Sequence, residues 1–137
     1  MPFVLDASIV HDWALGKGHP TAYAARELLQ ADRAVSPSLW WFEVRNGLVM
    51  AERRGRTTAE FSTSFLQRLA LFPVTLDTAP DETAMLGLAR RHRLTVYDAA
   101  YLELALREQI PLATLDHALA AAATAEDVPV LGQIGPP

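Results

Sequence analysis

Short apolar runs alternate along this chain with longer stretches of helical periodicity. Phe3-Val4-Leu5 is apolar throughout and ends at Asp6-Ala7-Ser8, which predicts a buried strand entering a turn or helix start. A helix is expected over 20–31, with Tyr23, Leu28 and Leu29 as its apolar positions. Ala34-Val35-Ser36 reads as a short strand ahead of a helix start at Pro37-Ser38. The next helix spans 39–53 and stops at Gly55. Thr57 or Thr58 caps another that reaches about Leu71, and 72–76 reads as a strand. Helices follow over 80–91 and 97–108. A strand over 110–114 leads through Asp116 into an Ala-rich helix over 118–125, and Val128-Pro129-Val130-Leu131 is a last short strand. The Gly-Pro tail, from about 132 to 137, is expected to fray. Short apolar strands separated by helices imply an α/β architecture, a mostly parallel sheet covered on both faces. In such sheets chemistry collects beyond the carboxyl ends of the strands. Asp6 and Asp116 follow two such ends.

The 137 residues suffice for one domain with a core of its own, and no repeat or Gly/Ser-rich linker divides them. The absence of cysteine excludes a disulfide framework, a thiolate zinc site and a cysteine nucleophile. It also fits a reducing cytoplasm, the expected location. Asp6 and the lack of a basic leading segment argue against a signal peptide, and no apolar run approaches a membrane span. The net charge of −4 disfavours a polyanionic partner at first sight.

Two carboxylates change that picture. Glu43 falls mid-helix, where it cannot cap. With successive residues turned by about 100°, Met50, Leu39, Gly47 and Trp40 lie within about 60° of it, and Asn46 is alongside. Asp98 likewise shares its side of the following helix with Ala105, Leu102 and Tyr101, within about 60°. Glu103 and Arg107 fall opposite, as an expected solvent-side pair. Two helices thus turn one acid each towards the core. Asp6, Asp98 and Asp116 have a simpler alternative explanation as residues of a first helical turn, where an acid caps free N–H groups.

An unpaired buried carboxylate needs a buried Arg, a raised pKa or a metal ion. No Arg falls on either apolar face within reach. Two charges 4 Å apart repel by about 4 kcal/mol at an effective dielectric of ~20, and a hard divalent cation reverses that sign. Carboxylates without Cys or His suit Mg²⁺ or Mn²⁺. His11, His19, His92 and His117 show no metal-ligand spacing, and His117 is expected to be exposed. Setting Asp6, Glu43, Asp98 and Asp116 aside leaves twelve acids against twelve bases, so net acidity no longer argues against nucleic acid. Eleven of those bases are Arg, a residue suited to phosphate. Arg53, Arg54 and Arg56, and Arg90, Arg91 and Arg93, are candidate RNA phosphate contacts, although each cluster also ends a helix, where positive charge is favourable anyway.

Val4-Leu5-Asp6-Ala7-Ser8, Trp41-Phe42-Glu43-Val44-Arg45-Asn46, the segment 94–105 around Tyr97-Asp98-Ala99-Ala100-Tyr101, and Leu112-Ala113-Thr114-Leu115-Asp116 together resemble the PIN-domain ribonucleases, and among them the VapC-type toxins of toxin–antitoxin pairs. The resemblance covers nearly the whole chain and implies a single PIN-like nuclease domain over 1–137 with a Rossmann-like α/β/α sandwich. It implies an Mg²⁺- or Mn²⁺-dependent endoribonuclease whose primary metal ligands are Asp6 and Asp98, with Glu43 and Asp116 completing the acidic cluster. Ser8, Asn46 and Thr114 match polar positions beside the site. Many relatives carry Ser or Thr directly before the last acid, where this chain has Leu115. A homodimer, a VapB-like antitoxin and an RNA substrate are the implied partners. The alternative is a catalytically inactive PIN-like module that binds RNA or protein.

Other acid-dependent classes fit less well. A receiver domain needs a lysine near its acids, and Lys17 lies in a loop candidate. Asp6-Ala7-Ser8 lacks the Asp-x-Asp of a phosphatase, and Gly16-Lys17 has His11 where a P-loop needs glycine. Trp40, Trp41, Phe42, Leu48 and Val49 surround the Glu43 helix almost completely, which predicts either a fully buried helix or a face that meets another chain.

Overall fold

The computed structural model describes residues 1–132. Its elements in chain order are β1 (Phe3–Leu5), α1 (Ala7–Leu15), α2 (Pro20–Leu28), β2 (Ala34–Pro37), α3 (Leu39–Arg53), α4 (Ala59–Leu69), β3 (Val74–Asp77), α5 (Glu82–His92), α6 (Val96–Glu108), β4 (Leu112–Ala113) and α7 (His117–Ala125). The sheet runs β3-β2-β1-β4, and every pairing is parallel, with Val4 opposite both Val35 and Leu112. This is the expected α/β sandwich. β1 is buried at all three positions, which is why it reads as an unbroken apolar run. α6 packs across β1, β2 and β4, and α1 lies against α2 and α3.

Capping residues account for most helix starts. Thr58, Asp81, Thr95 and Asp116 each accept an N–H from the first turn of α4, α5, α6 and α7. Pro20 opens α2, where its missing N–H costs nothing. The helix expected over 20–31 ends at Leu28, and the strand expected over 128–131 is a single bridge between Val130 and Leu112. Of the expected tail, Gly132 lies in a turn and 133–137 fall outside the described residues. Of α1 the sequence pattern marks only the start, at Asp6-Ala7-Ser8, and not its extent to Leu15.

The Glu103–Arg107 pair is not on the solvent side. Glu103 is only 2% exposed. It accepts Nε of Arg107 at 2.8 Å and the Asp81 N–H at 3.1 Å, while Arg107 forks Asp77 with bonds of 3.1 and 2.8 Å. The pair therefore ties α6 to the start of α5 and the end of β3. An outward azimuth on α6 is covered by α5, which the helix's own periodicity cannot reveal.

Along the sheet the chain passes from β1 out to β2 and β3, then returns to β4 on the other side of β1. The crevice beyond the carboxyl ends of β1 and β4 is thus a switch point of the kind where α/β sheets place their chemistry.

Candidate functional site

Asp6 follows the last residue of β1 and occupies the N-cap position of α1, yet its side chain makes no capping bond. Its Oδ2 instead accepts Ser8 Oγ and Thr114 Oγ1, both at 2.7 Å. Each hydroxyl is held from behind by an amide: Leu115 N–H donates to Ser8 Oγ at 2.9 Å and Asp116 N–H to Thr114 Oγ1 at 3.0 Å. With those lone pairs occupied by amides, both hydroxyl protons are directed at Asp6. Ser8 and Thr114 thus stitch the end of β1 to the loop after β4. Leu115, in the place where relatives often carry a hydroxyl, contributes only its N–H here.

Glu43 projects from the second turn of α3, and Tyr101 of α6, itself fully buried, donates its hydroxyl to Glu43 Oε1 at 2.5 Å. Asp98 lies in the first turn of α6 but does not cap it, since Thr95 Oγ1 takes the Asp98 N–H at 3.1 Å. Asp116 does cap: its Oδ1 accepts Leu119 N–H at 2.8 Å. These four acids, with Ala7, Ser8, His11, Asn46 and Gly47, line one open pocket of about 280 Å³. The four come from the ends of β1 and β4 and from helices α3 and α6.

Burial and crowding act on the acids in the same direction. Burial raises the Asp6 carboxyl above its usual range against the pull of its two hydroxyl donors, and the charge of Asp116 adds to the rise. Glu43 is raised by burial first, with Asp6 and Asp98 adding repulsion, while the Tyr101 bond pulls the other way. Asp98 is raised by burial and by Asp116 and Asp6. Among the described residues, no cationic side chain offsets any of these three shifts. The phenol of Tyr101 is held firmly in its protonated form by its burial, the Asp6 charge and the bond to Glu43.

Among the described residues, no three His, Asp or Glu side chains converge closely enough, as they lie, to hold one metal ion. The donor set itself is all oxygen and suits a hard cation. Three of the acids each have one oxygen engaged by the protein: Glu43 Oε1 by Tyr101, Asp116 Oδ1 by the start of α7, and Asp6 Oδ2 by its two hydroxyls.

Residues 3–125 match the family model of the PIN domain. The chain belongs to the PIN-domain family. No curated protein sequence matches it. Among solved structures it is similar to that of PAE2754 from Pyrobaculum aerophilum, with a TM-score of 0.67 and 28% identity over 89% of this chain and 79% of that one. It is also similar to FitAcB from Neisseria gonorrhoeae, with a TM-score of 0.67 and 17% identity over 96% and 97% of the two chains. A toxin–antitoxin complex from Klebsiella pneumoniae gives a TM-score of 0.58 and 20% identity over 85% and 87%. The last two likenesses concern the fold alone.

In this PIN domain the predicted polar neighbours Ser8 and Asn46 line the pocket, and Thr114 reaches it through Asp6. The predicted arginines lie outside the pocket. Arg53, Arg54 and Arg56 are exposed at and just beyond the end of α3, about 15 Å along the axis from Glu43. Arg90, Arg91 and Arg93 are exposed around the turn between α5 and α6, the end of α6 that carries Asp98. Arg91 is engaged there with Glu126 at 2.7 Å. His117 is exposed, as expected. Two residues of the site, Tyr101 behind Glu43 and His11 in the pocket lining, are not evident from sequence. Periodicity puts Tyr101 on Asp98's side of its helix but cannot pair it with Glu43, and His11 carries no motif. No helix among the described residues is long and apolar enough to cross a membrane.

Proposed function

We propose that this PIN domain is a divalent-metal-dependent endoribonuclease and the toxin of a toxin–antitoxin pair. The observation that carries the reading is the gathering of Asp6, Glu43, Asp98 and Asp116, distant in sequence and without a cationic partner among the described residues, in one open pocket at the sheet's switch point. Asp6 and Asp98 would be the primary ligands of Mg²⁺ or Mn²⁺, with Glu43 and Asp116 completing the set. Bound there, such a cation supplies Lewis-acid activation of water and compensates charge building on the scissile phosphate. Ser8 and Thr114 keep Asp6 oriented, the Tyr101 hydroxyl fixes one oxygen of Glu43, and Asn46 offers an amide at the pocket rim.

RNA is the proposed substrate, and Arg53, Arg54, Arg56, Arg90, Arg91 and Arg93 are its proposed phosphate contacts. A VapB-like antitoxin, a homodimer and a cytoplasmic location complete the reading, and the likeness to a toxin–antitoxin complex supports the partner. The alternative, an inactive module that binds RNA or protein, draws on the failure of the acids to converge as they lie. Cleavage of single-stranded RNA with Mg²⁺, Mn²⁺ or chelator present separates the two. The nuclease reading predicts cleavage that chelator abolishes and that Asp6→Asn or Asp98→Asn reduces by orders of magnitude with the fold intact. Unchanged cleavage in both variants would remove the assignment.

A further inference from the structure

Gly47 stands in the interior of α3 with helical backbone, so no left-handed turn requires it there. Space does. A Cβ at this position would lie 2.1 Å from Nε2, 2.5 Å from Cε1 and 2.6 Å from Cδ2 of His11. The imidazole, reaching over from α1, fills the volume in which any other residue carries its first side-chain carbon. It is anchored in that notch by Nε2, 3.0 Å from the backbone oxygen of Glu43. A carbonyl oxygen only accepts, so Nε2 carries the proton and donates it. Glu43 and Gly47 are one turn apart on α3, so His11 grips the very turn that carries the Glu43 carboxylate. On α1 it lies one turn beyond Ala7, the residue after Asp6. One side chain thereby links the turn at Asp6 to the turn at Glu43, and all of these residues line the pocket.

We propose that His11, seated in the notch left by Gly47, is a positioning residue that sets the spacing of the Asp6 and Glu43 carboxylates and with it the pocket's affinity for a divalent cation. The proposal rests on the acidic pocket being a cation site. Apolar contact between α1 and α3 is non-directional and leaves sliding and rotation to be fixed by something else. The ring supplies a steric stop and a directed bond in one residue. Groups behind metal ligands typically change affinity by about 10–100-fold when removed, and His11 acts in this way without touching the cation.

The test is calorimetric Mn²⁺ binding to the metal-free full chain, alongside Mn²⁺-dependent cleavage of single-stranded RNA and thermal melts. Gly47→Ala expels the imidazole and is expected to weaken Mn²⁺ binding by about 10–100-fold. His11→Ala is expected to weaken it by about tenfold, within the same range. His11→Gln, whose amide N–H can reach the same carbonyl, restores most of that loss. In the double variant the methyl introduced by Gly47→Ala occupies the space vacated by the ring, so it binds no worse than His11→Ala alone. Gly87→Ala, at a helical glycine with nothing near its Cβ position, leaves binding unchanged. Wild-type Mn²⁺ affinity in both single variants, or a double variant that loses the product of the two, would overturn the proposal. A wild-type chain that neither binds Mn²⁺ nor cleaves RNA would instead remove the cation-site reading beneath it. Should Gly47→Ala fail to fold, the comparison of His11→Ala with His11→Gln decides alone.

Discussion

The Asp6 carboxylate shows how much a single residue's setting differs from what its position suggests. Placed at the start of a helix, it would ordinarily spend an oxygen on a backbone N–H, as Asp116 does through Leu119. Ser8 and Thr114 claim it instead, and their own amide donors leave them no other use for their protons. Glu43 is held by one donor, Tyr101, and is raised by burial and by the Asp6 and Asp98 charges. A carboxyl with a raised folded pKa favours its protonated form in the fold. Its contribution to stability is therefore complete below the unfolded value near 4.3 and is lost as pH rises through the folded value. Glu43→Gln keeps the shape and an oxygen for Tyr101 but cannot ionise. In metal-free buffer this variant is expected to melt above the wild type at neutral pH, the gap closing as the pH falls below the ordinary Glu value. Melting curves of both proteins across that pH range check this. A gap that stays constant or widens towards acid would show that the Glu43 charge is not penalised in the fold.

At the scale of elements, what the sequence reveals and what it hides follow from how each signal arises. β1 is legible because burial on both faces leaves an unbroken apolar run. The span of α3 is legible residue for residue because both its start after Pro37-Ser38 and its stop near Gly55 are local chemistry. α1 is not: Ala7–Leu15 is apolar on most sides, lacks a capping bond and carries no acid in its first turn, so no periodic signal marks it. The inward acids Glu43 and Asp98 are found by azimuth, whereas the same method misplaces Glu103 because α5 covers its side of α6. The buried Glu103 has a measurable consequence. Glu103→Ala strips Arg107 of one carboxylate and leaves the Asp81 N–H unpaired, with Arg107 still part-exposed and able to keep Asp77. The expected cost is about 3 kcal/mol, at the low end for a broken buried pair, read as a shift in urea midpoint. A change within about 0.5 kcal/mol, typical of a surface site, would mean that the pair is solvent-exposed after all. α5 offers the opposite case. Gly87 is helical with open space at its Cβ position, so Gly87→Ala is expected to add about 0.5–1 kcal/mol from helix propensity alone, raising the melting temperature by about 2–4 °C. A destabilised variant in thermal melts would mean that Gly87 faces a packed neighbour.

For the whole molecule, the sequence leaves one question between two answers: whether the apolar ring around α3 is core or contact surface. The structure divides it. Trp40 and Leu48 are buried, whereas Trp41, Phe42 and Val49 are 43%, 69% and 40% exposed. Phe42 stands edge-on to Trp41 with ring centroids 5.0 Å apart, and Arg45 lies over the Trp41 ring at 3.7 Å. A lone exposed aromatic is ordinary, but neighbouring ones on one helix face mark a surface suited to an apolar partner. A second copy of the chain and an antitoxin are both partners implied by the family resemblance, and for the former a twofold contact needs only one such face per subunit. Replacing Phe42, the most exposed of the three, with Asp puts a charge in the contact while disturbing little of the core. Sedimentation velocity at micromolar concentration is expected to find a wild-type dimer and a Phe42→Asp monomer with the same far-ultraviolet spectrum. Sulfate is expected to strengthen the wild-type dimer, since exclusion of such salts from the surface favours apolar burial. A wild-type chain that sediments as a monomer in sulfate, or a variant that dimerises as well as the parent, would leave Trp41, Phe42 and Val49 to a different partner.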